Sequence, residues 1–233
     1  MPITKPGTMI PAKARPDLYL FAHKGLRAFL GDTLNRCGRM DTGDSNEVIQ
    51  TLAQVRELLA ICRAHLDKEE YYLHPAMEAR RAGSAMHTAE DHAEHLRSFE
   101  NLAASVRNVE QAKGDERHGA ALHLYREFAL FVADNLEHMH TEEIENNTVL
   151  WATHSDAELL ALQKQLVSSI PPAEMAVFLR WMIPAMSAPE RAALLTGIKQ
   201  NAPAEAFSAT MGNLKPHLAE RDWYKLMAAL AGL

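Results

Sequence analysis

Two segments of the chain carry one pattern, His65-Leu-Asp-Lys-Glu69-Glu70 and His138-Met-His-Thr-Glu142-Glu143. On an α-helix, residues four apart are separated by about 40° in angle and about 6 Å in rise, so they share a face. An imidazole at the first position and a carboxylate at the fifth then converge on one metal-sized volume. A single His-x-x-x-Glu arises easily by chance. Two copies on different predicted helices constrain the fold far more, because both must face one interior.

The rest of the chain reads as helices. Alternating β-branched runs are absent, and Ala, Leu, Glu, Arg and Met dominate, all good helix formers. A first helix starts after Pro16, with Asp17 near its N-terminus, and fades near Gly38. Gly43-Asp44 is a turn and cap, with Glu47 in the capping-box position, and a second helix runs from Ser45 to about His74, where Pro75 ends or kinks it. A third begins between Ser84 and Ala89 and stops at Lys113-Gly114. Asp115 opens a fourth that reaches about Asn147. Shorter helices follow from Ser155 (capped with Glu158), Pro172 and Ser187 (with Glu190), and the last lie between Pro203 and Leu233. The expectation is all-α: an up-down-up-down four-helix bundle over residues 17–150, a tail over 1–16 and a C-terminal helical extension over 151–233.

Helix lengths test this register. His23 and His65 lie about 20 and 22 residues either side of the turn at Gly43, roughly 30 Å each way. His65 to Pro75 and Ser84 to His92 span about ten and eight residues, or roughly 12–15 Å. His92 and His138 stand about 22 and 24 residues from Gly114, or roughly 35 Å. Three hairpins therefore return a histidine to one level of the bundle on each of four helices.

Mixed nitrogen and oxygen ligation suits iron, manganese or zinc, whereas thiolate ligation is absent from the pattern. Glutamates can bridge two ions about 3.5–4 Å apart, a separation that permits two-electron chemistry with dioxygen or peroxide. The order His23, His65-x-x-x-Glu69, His92, His138-x-x-x-Glu142 resembles the hemerythrin-like HHE cation-binding domain over roughly residues 17–150. The resemblance implies His23, His65, Glu69, His92, His138 and Glu142 as metal ligands, with Glu69 and Glu142 bridging. It further implies two iron ions, oxo- or hydroxo-bridged, with manganese or zinc as substitutes. The segment Trp181 to Arg191 is similar to one that follows such domains in some larger bacterial and plant members.

Two positions depart from the oxygen-carrying hemerythrins. Their third helix bears histidines four apart, but Leu96 stands four after His92. Their fourth helix uses Asp one position beyond Glu142. His95, within about 60° of His92 on the helix, is the additional or alternative ligand. Glu70 and Glu143, about 100° from the adjacent ligands, are placed behind them or in solvent. Cys62 and Tyr19, one turn before His65 and His23, either line the pocket or pack in the core. His74 reads as a helix end, His140 as facing another helix or solvent, and His87, His118, His123, His154 and His217 as ordinary surface or packing residues. Glu137-x-x-His140 is a lone Glu-x-x-His, and a ferritin-like site needs two.

Composition sets the outer limits. A net charge of -6 offers no basic footprint for nucleic acid. No stretch of about 18 apolar residues can span a membrane. Cys37 and Cys62 form no spacing motif, which with the lack of a signal-like N-terminus gives a cytoplasmic expectation. The extension is large enough to cover one end of the bundle or to make a homodimer. Neither a nucleophile nor a proton-delivery chain stands out, so binding or sensing of dioxygen, nitric oxide, peroxide, redox state or iron is the favoured reading, ahead of an enzyme. The alternatives are a di-iron oxidase, peroxidase or ferroxidase, and a metal-free helical scaffold.

Overall fold

The computed structural model describes residues 15–231, which among them form helices and no strand. The elements are α1 (Leu20–Arg39), α2 (Ser45–Lys68), a π-helical turn (Glu69–Leu73), α3 (His74–Arg80), α4 (Met86–Gln111) and α5 (Gly114–Thr141). A second π-helical turn (Glu142–Asn146), α6 (Asn147–Thr153), α7 (Asp156–Ser168), α8 (Pro172–Ala185), α9 (Ala188–Asn201), α10 (Ala204–Leu214), a 3-10 turn (Lys215–His217) and α11 (Glu220–Ala231) complete the described residues.

Local chemistry sets the boundaries close to where the sequence puts them. The Asp17 carboxylate accepts from the N–H groups of Tyr19 and Leu20 at 3.0 Å each, opening α1. Asp44 accepts from Asn46 and Glu47 at the start of α2, and Ser155/Glu158 and Ser187/Glu190 form reciprocal capping boxes. Gly114 adopts φ 56°, a left-handed conformation that closes the two-residue link between α4 and α5.

Helix α1 packs on α2 and α5, and α4 packs on α2 and α5, so the four long helices meet in a ring. On α4 a buried stripe of Thr88, His92, His95, Phe99, Leu102, Val106 and Val109 recurs in alternating steps of four and three, with Ser105 buried beside it. The histidines thus occupy the same stripe as the apolar core, only nearer one end of the helix. An inner cluster built on Phe29, Leu30, Leu58, Leu102, Leu124 and Phe128 lies on one side of them. A second cluster, with Tyr19, Leu73, Met77 and Leu150, lies on the other. His23, Glu69 and Glu142 each fall between a residue of the first cluster and one of the second, so the polar layer is enclosed by two dry ones.

The second helix does not stop at His74. It widens into the π-helical turn, where the His74 N–H bonds the Glu69 carbonyl five residues back, and continues as α3 to Arg80. The wider ladder lets Pro75 enter α3 near its first position, where its missing N–H removes no needed bond. The fourth helix repeats the device: Asn147 N–H reaches the Glu142 carbonyl.

The C-terminal helices form a third cluster around Ile183, Leu195, Leu214 and Leu226. It is joined to the bundle where α8 crosses α1. A Cβ on Gly25 would lie 2.9 Å from the Met182 Cα, so only glycine allows this approach. Lys24 of α1 reaches the start of α9, its Nζ 2.7 Å from Glu190. Trp181 of α8 stacks on Phe29 with ring centroids 4.2 Å apart.

Gly25→Ala is therefore expected to destabilise by about 1–3 kcal/mol through overpacking, despite the better helix propensity of alanine. Gly119→Ala, in open space on α5, is expected to stabilise by roughly 0.5–1 kcal/mol. Thermal melts of the two variants should shift in opposite directions.

Candidate metal centre

The structure brings all six expected residues into one volume. Two groups of potential ligand atoms each fall within 4.8 Å of one another: His23, His65, Glu69 and Glu142, and Glu69, His92, His138 and Glu142. Both glutamates belong to both groups. Glu69 turns Oε1 toward His65 Nε2 (3.1 Å) and His23 Nε2 (3.8 Å), and Oε2 toward His92 Nε2 (3.7 Å). Glu142 places Oε2 3.4 Å from both His23 Nε2 and His138 Nε2, and Oε1 3.8 Å from His92 Nε2. The two Nε2 atoms of His92 and His138 approach to 3.1 Å. Each helix of the ring supplies one histidine, and the two π-helical turns begin at the two glutamates.

These side chains fit a pair of cations better than they fit one another. His23 Nε2, His65 Nε2 and all four carboxylate oxygens of Glu69 and Glu142 are buried without a hydrogen-bond partner. Side-chain exposure is 0–2% for His23, Glu69, His92 and Glu142, 5% for His138 and 13% for His65. Two unpaired carboxylates in a dry layer cost several kcal/mol each, a cost that shared cations offset.

The outward nitrogens are fixed by carboxylates. His23 Nδ1 lies 3.0 Å from Glu143 Oε1, which is also gripped by Arg27 Nη1 at 2.6 Å. His92 Nδ1 lies 3.3 Å from Glu70 Oε1, and His138 Nδ1 lies 3.1 Å from Asp91 Oδ2. Such partners set the tautomer that leaves Nε2 free to ligate. Glu70 and Glu143, expected behind the ligands or in solvent, take the first role. Asp91 and Arg27 were not singled out from sequence. Arg27 sits one turn after His23 on the same face, a signal that was present, but only the fold brings Asp91 from α4 to His138 on α5.

The charges follow this arrangement. Burial pushes the Glu69 carboxyl up, but the neighbouring His65 and His23 hold it well below the usual carboxylate range. Burial and the Glu69 charge push Glu142 up, and its contacts with His23 and His92 prevail and lower it. Burial lowers His23 and His92, yet the surrounding carboxylates outweigh it and raise both. Burial also favours protonated Glu143, but His23 and Arg27 bring it to about 2.

Of the ambiguous residues, His92 joins the cluster. His95 is buried beside it without appearing in either group, its pKa pushed down to about 4 by burial and by His138 and His92. Leu96 packs against the inner apolar cluster. His74 is more than a helix end: it is buried, stacks on His92 with ring centroids 4.9 Å apart, and lies 3.3 Å from Thr88 Oγ1. Tyr19 is fully buried and its hydroxyl accepts from Asn146 Nδ2 at 3.1 Å. Burial and the two glutamates keep that phenol protonated. Cys62 lies in the inner apolar cluster, where burial pushes the thiol up to about 12. His140 is exposed.

A profile of the hemerythrin HHE cation binding domain matches residues 17–146, the stretch that holds every residue of the cluster. No curated protein and no solved structure matches the chain.

Glu143→Ala frees the His23 ring and leaves Arg27 unpaired. Competition with a chelator should show divalent-cation affinity falling about 10–100-fold, whereas Glu145→Ala, on an exposed residue of the same turn, should leave it unchanged.

Proposed function

Because the chain belongs to the hemerythrin HHE cation-binding domain family, we propose that it binds two iron ions between Glu69 and Glu142. His23 and His65 complete one position, and His92 and His138 the other. The carrying observation is that both glutamates are shared by the two ligand groups while all four of their oxygens lack protein partners. Four neutral histidines and two carboxylates favour borderline divalent ions, and the family resemblance favours iron over manganese or zinc. Bound there, the iron pair supplies reversible binding of a diatomic ligand and a two-electron redox change.

The biological reading we favour is binding or sensing of dioxygen, nitric oxide, redox state or iron supply. The six side chains are 0–13% exposed, which favours a diatomic visitor over an organic substrate and sets the oxidase or peroxidase alternative behind. Leu96 in place of a second histidine reduces the nitrogen count relative to the oxygen carriers and argues against simple oxygen transport. The bundle's own residues hold the site: Glu143, Glu70 and Asp91 orient the histidines, and the apolar layers exclude water. Phe178 of α8, with its ring 6.4 Å from that of His65, covers the most open ligand. Residues 151–233 would thus serve as a cover that couples site occupancy to the rest of the chain. Two buried, unpaired cysteines support a reducing compartment such as the cytoplasm. No described helix is long and apolar enough to cross a membrane.

Protein purified without added metal should contain about two iron per chain, and Glu142→Ala, which removes a bridging ligand, about one or none. A wild-type content below about one with no uptake on reconstitution contradicts the reading. Sustained turnover of peroxide by the reduced protein would move the function to the enzymatic alternative.

A further inference from the structure

A cleft of about 790 Å³ opens where α8 meets α1 and α2, and none of the residues lining it is a proposed metal ligand. Three guanidinium groups and two carboxylates line it, and they are not evenly matched. Arg180 of α8 pairs with Glu57 of α2. Asp32 instead accepts from the Gln54 amide at 2.7 Å, and Gln54 turns its carbonyl to Arg36 Nη1, also at 2.7 Å. Arg36 thus holds a neutral amide oxygen, and exposed Arg39 has no hydrogen-bond partner; neither forms an ion pair among the described residues. The opposite lining is apolar: the half-buried Trp181 indole, stacked on Phe29, with the Pro184 ring beside it. Phe29 and Arg36 are seven residues apart on α1, about 10 Å along the helix axis.

We propose that this cleft binds a flat organic anion of about two fused rings, with its carboxylate or phosphate on Arg36 and Arg39 and its rings against Trp181 and Pro184. A guanidinium presents paired N–H donors that match either head group, and such charge-assisted bonds are about twice as strong as neutral ones. The indole and the proline ring offer the flat apolar surface on which an aromatic body is buried. The two requirements are met two helical turns apart, the span of a two-ring acid rather than of a bare anion. The volume lies within the range of roughly 300–1,000 Å³ typical of small-molecule sites. Mixed lining of this kind favours a ligand with one charged end over a purely apolar one, because an apolar occupant would bury two guanidiniums without an acceptor. The proposal is independent of the metal-pair reading.

The test titrates the full chain calorimetrically with 2-naphthoate, 2-naphthyl phosphate and the uncharged 2-naphthol. One of the two anions is expected to bind at about one per chain, and the tighter of them identifies the head group. Arg36→Gln/Arg39→Gln should weaken that binding about tenfold or more. Arg107→Gln/Arg126→Gln removes the same charge from exposed positions outside the cleft and should leave it unchanged. Ala53→Trp, on an exposed position of the cleft wall, keeps both arginines but fills the space and should abolish binding. Thermal melts check that each variant is folded. The proposal is overturned if neither anion binds more tightly than about 1 mM, if 2-naphthol binds as tightly as the anions, or if either cleft variant binds like wild type.

Discussion

The fold is organised around two carboxylates that cannot be left alone. Glu69 and Glu142 face one another in a layer closed above and below by apolar side chains, and neither finds a hydrogen bond there. Four Nε2 atoms surround them, each on a different helix of the ring, and their Nδ1 atoms reach outward to carboxylates on three of the four. The arrangement has charge complementarity built into it at two levels. Cations held there would satisfy the inner oxygens, and the outer carboxylates would polarise the imidazoles toward them. Without cations the two buried carboxylates depend on the imidazoles of His23 and His92, which they hold more readily protonated.

Much of this was legible in the chain. The His-x-x-x-Glu spacing works only on helices, and the matched distances from each ligand to its turn fix the level at which they meet. Side-chain capping is encoded within three residues, so Asp44, Ser155 and Ser187 mark helix starts without tertiary help. The boundary at Pro75 was less legible, because a proline inside a helical pattern ordinarily ends it. Here the ladder widens by one residue, directly after Glu69 and again after Glu142, and no propensity scale signals that change. Both turns begin at the residue that must reach the centre, which ties the irregularity to the site.

Residues that act across helices were the hardest to read. Glu143 and Glu70 share a helix with a ligand, and their angular offset only separates them from it; the fold decides which histidine each one holds. Asp91 reaches His138, and the choice between His92 and His95 turns on which of two inward-facing rings points at the glutamates. His95 is buried beside His92 without joining either ligand group, and Leu96 packs with the core. The C-terminal helices were visible as helices, but their seat on α1 depends on the bare backbone at Gly25.

In the proposed centre one pair of glutamates, Glu69 and Glu142, holds two ions. Anomalous diffraction from crystals of the iron-loaded protein, collected at the iron edge, addresses it most directly. Two peaks about 3.5–4 Å apart are expected, both within bonding distance of Glu69 and Glu142, one beside His23 and His65 and the other beside His92 and His138. A single peak at full occupancy, or a pair that does not share the two carboxylates, would contradict it.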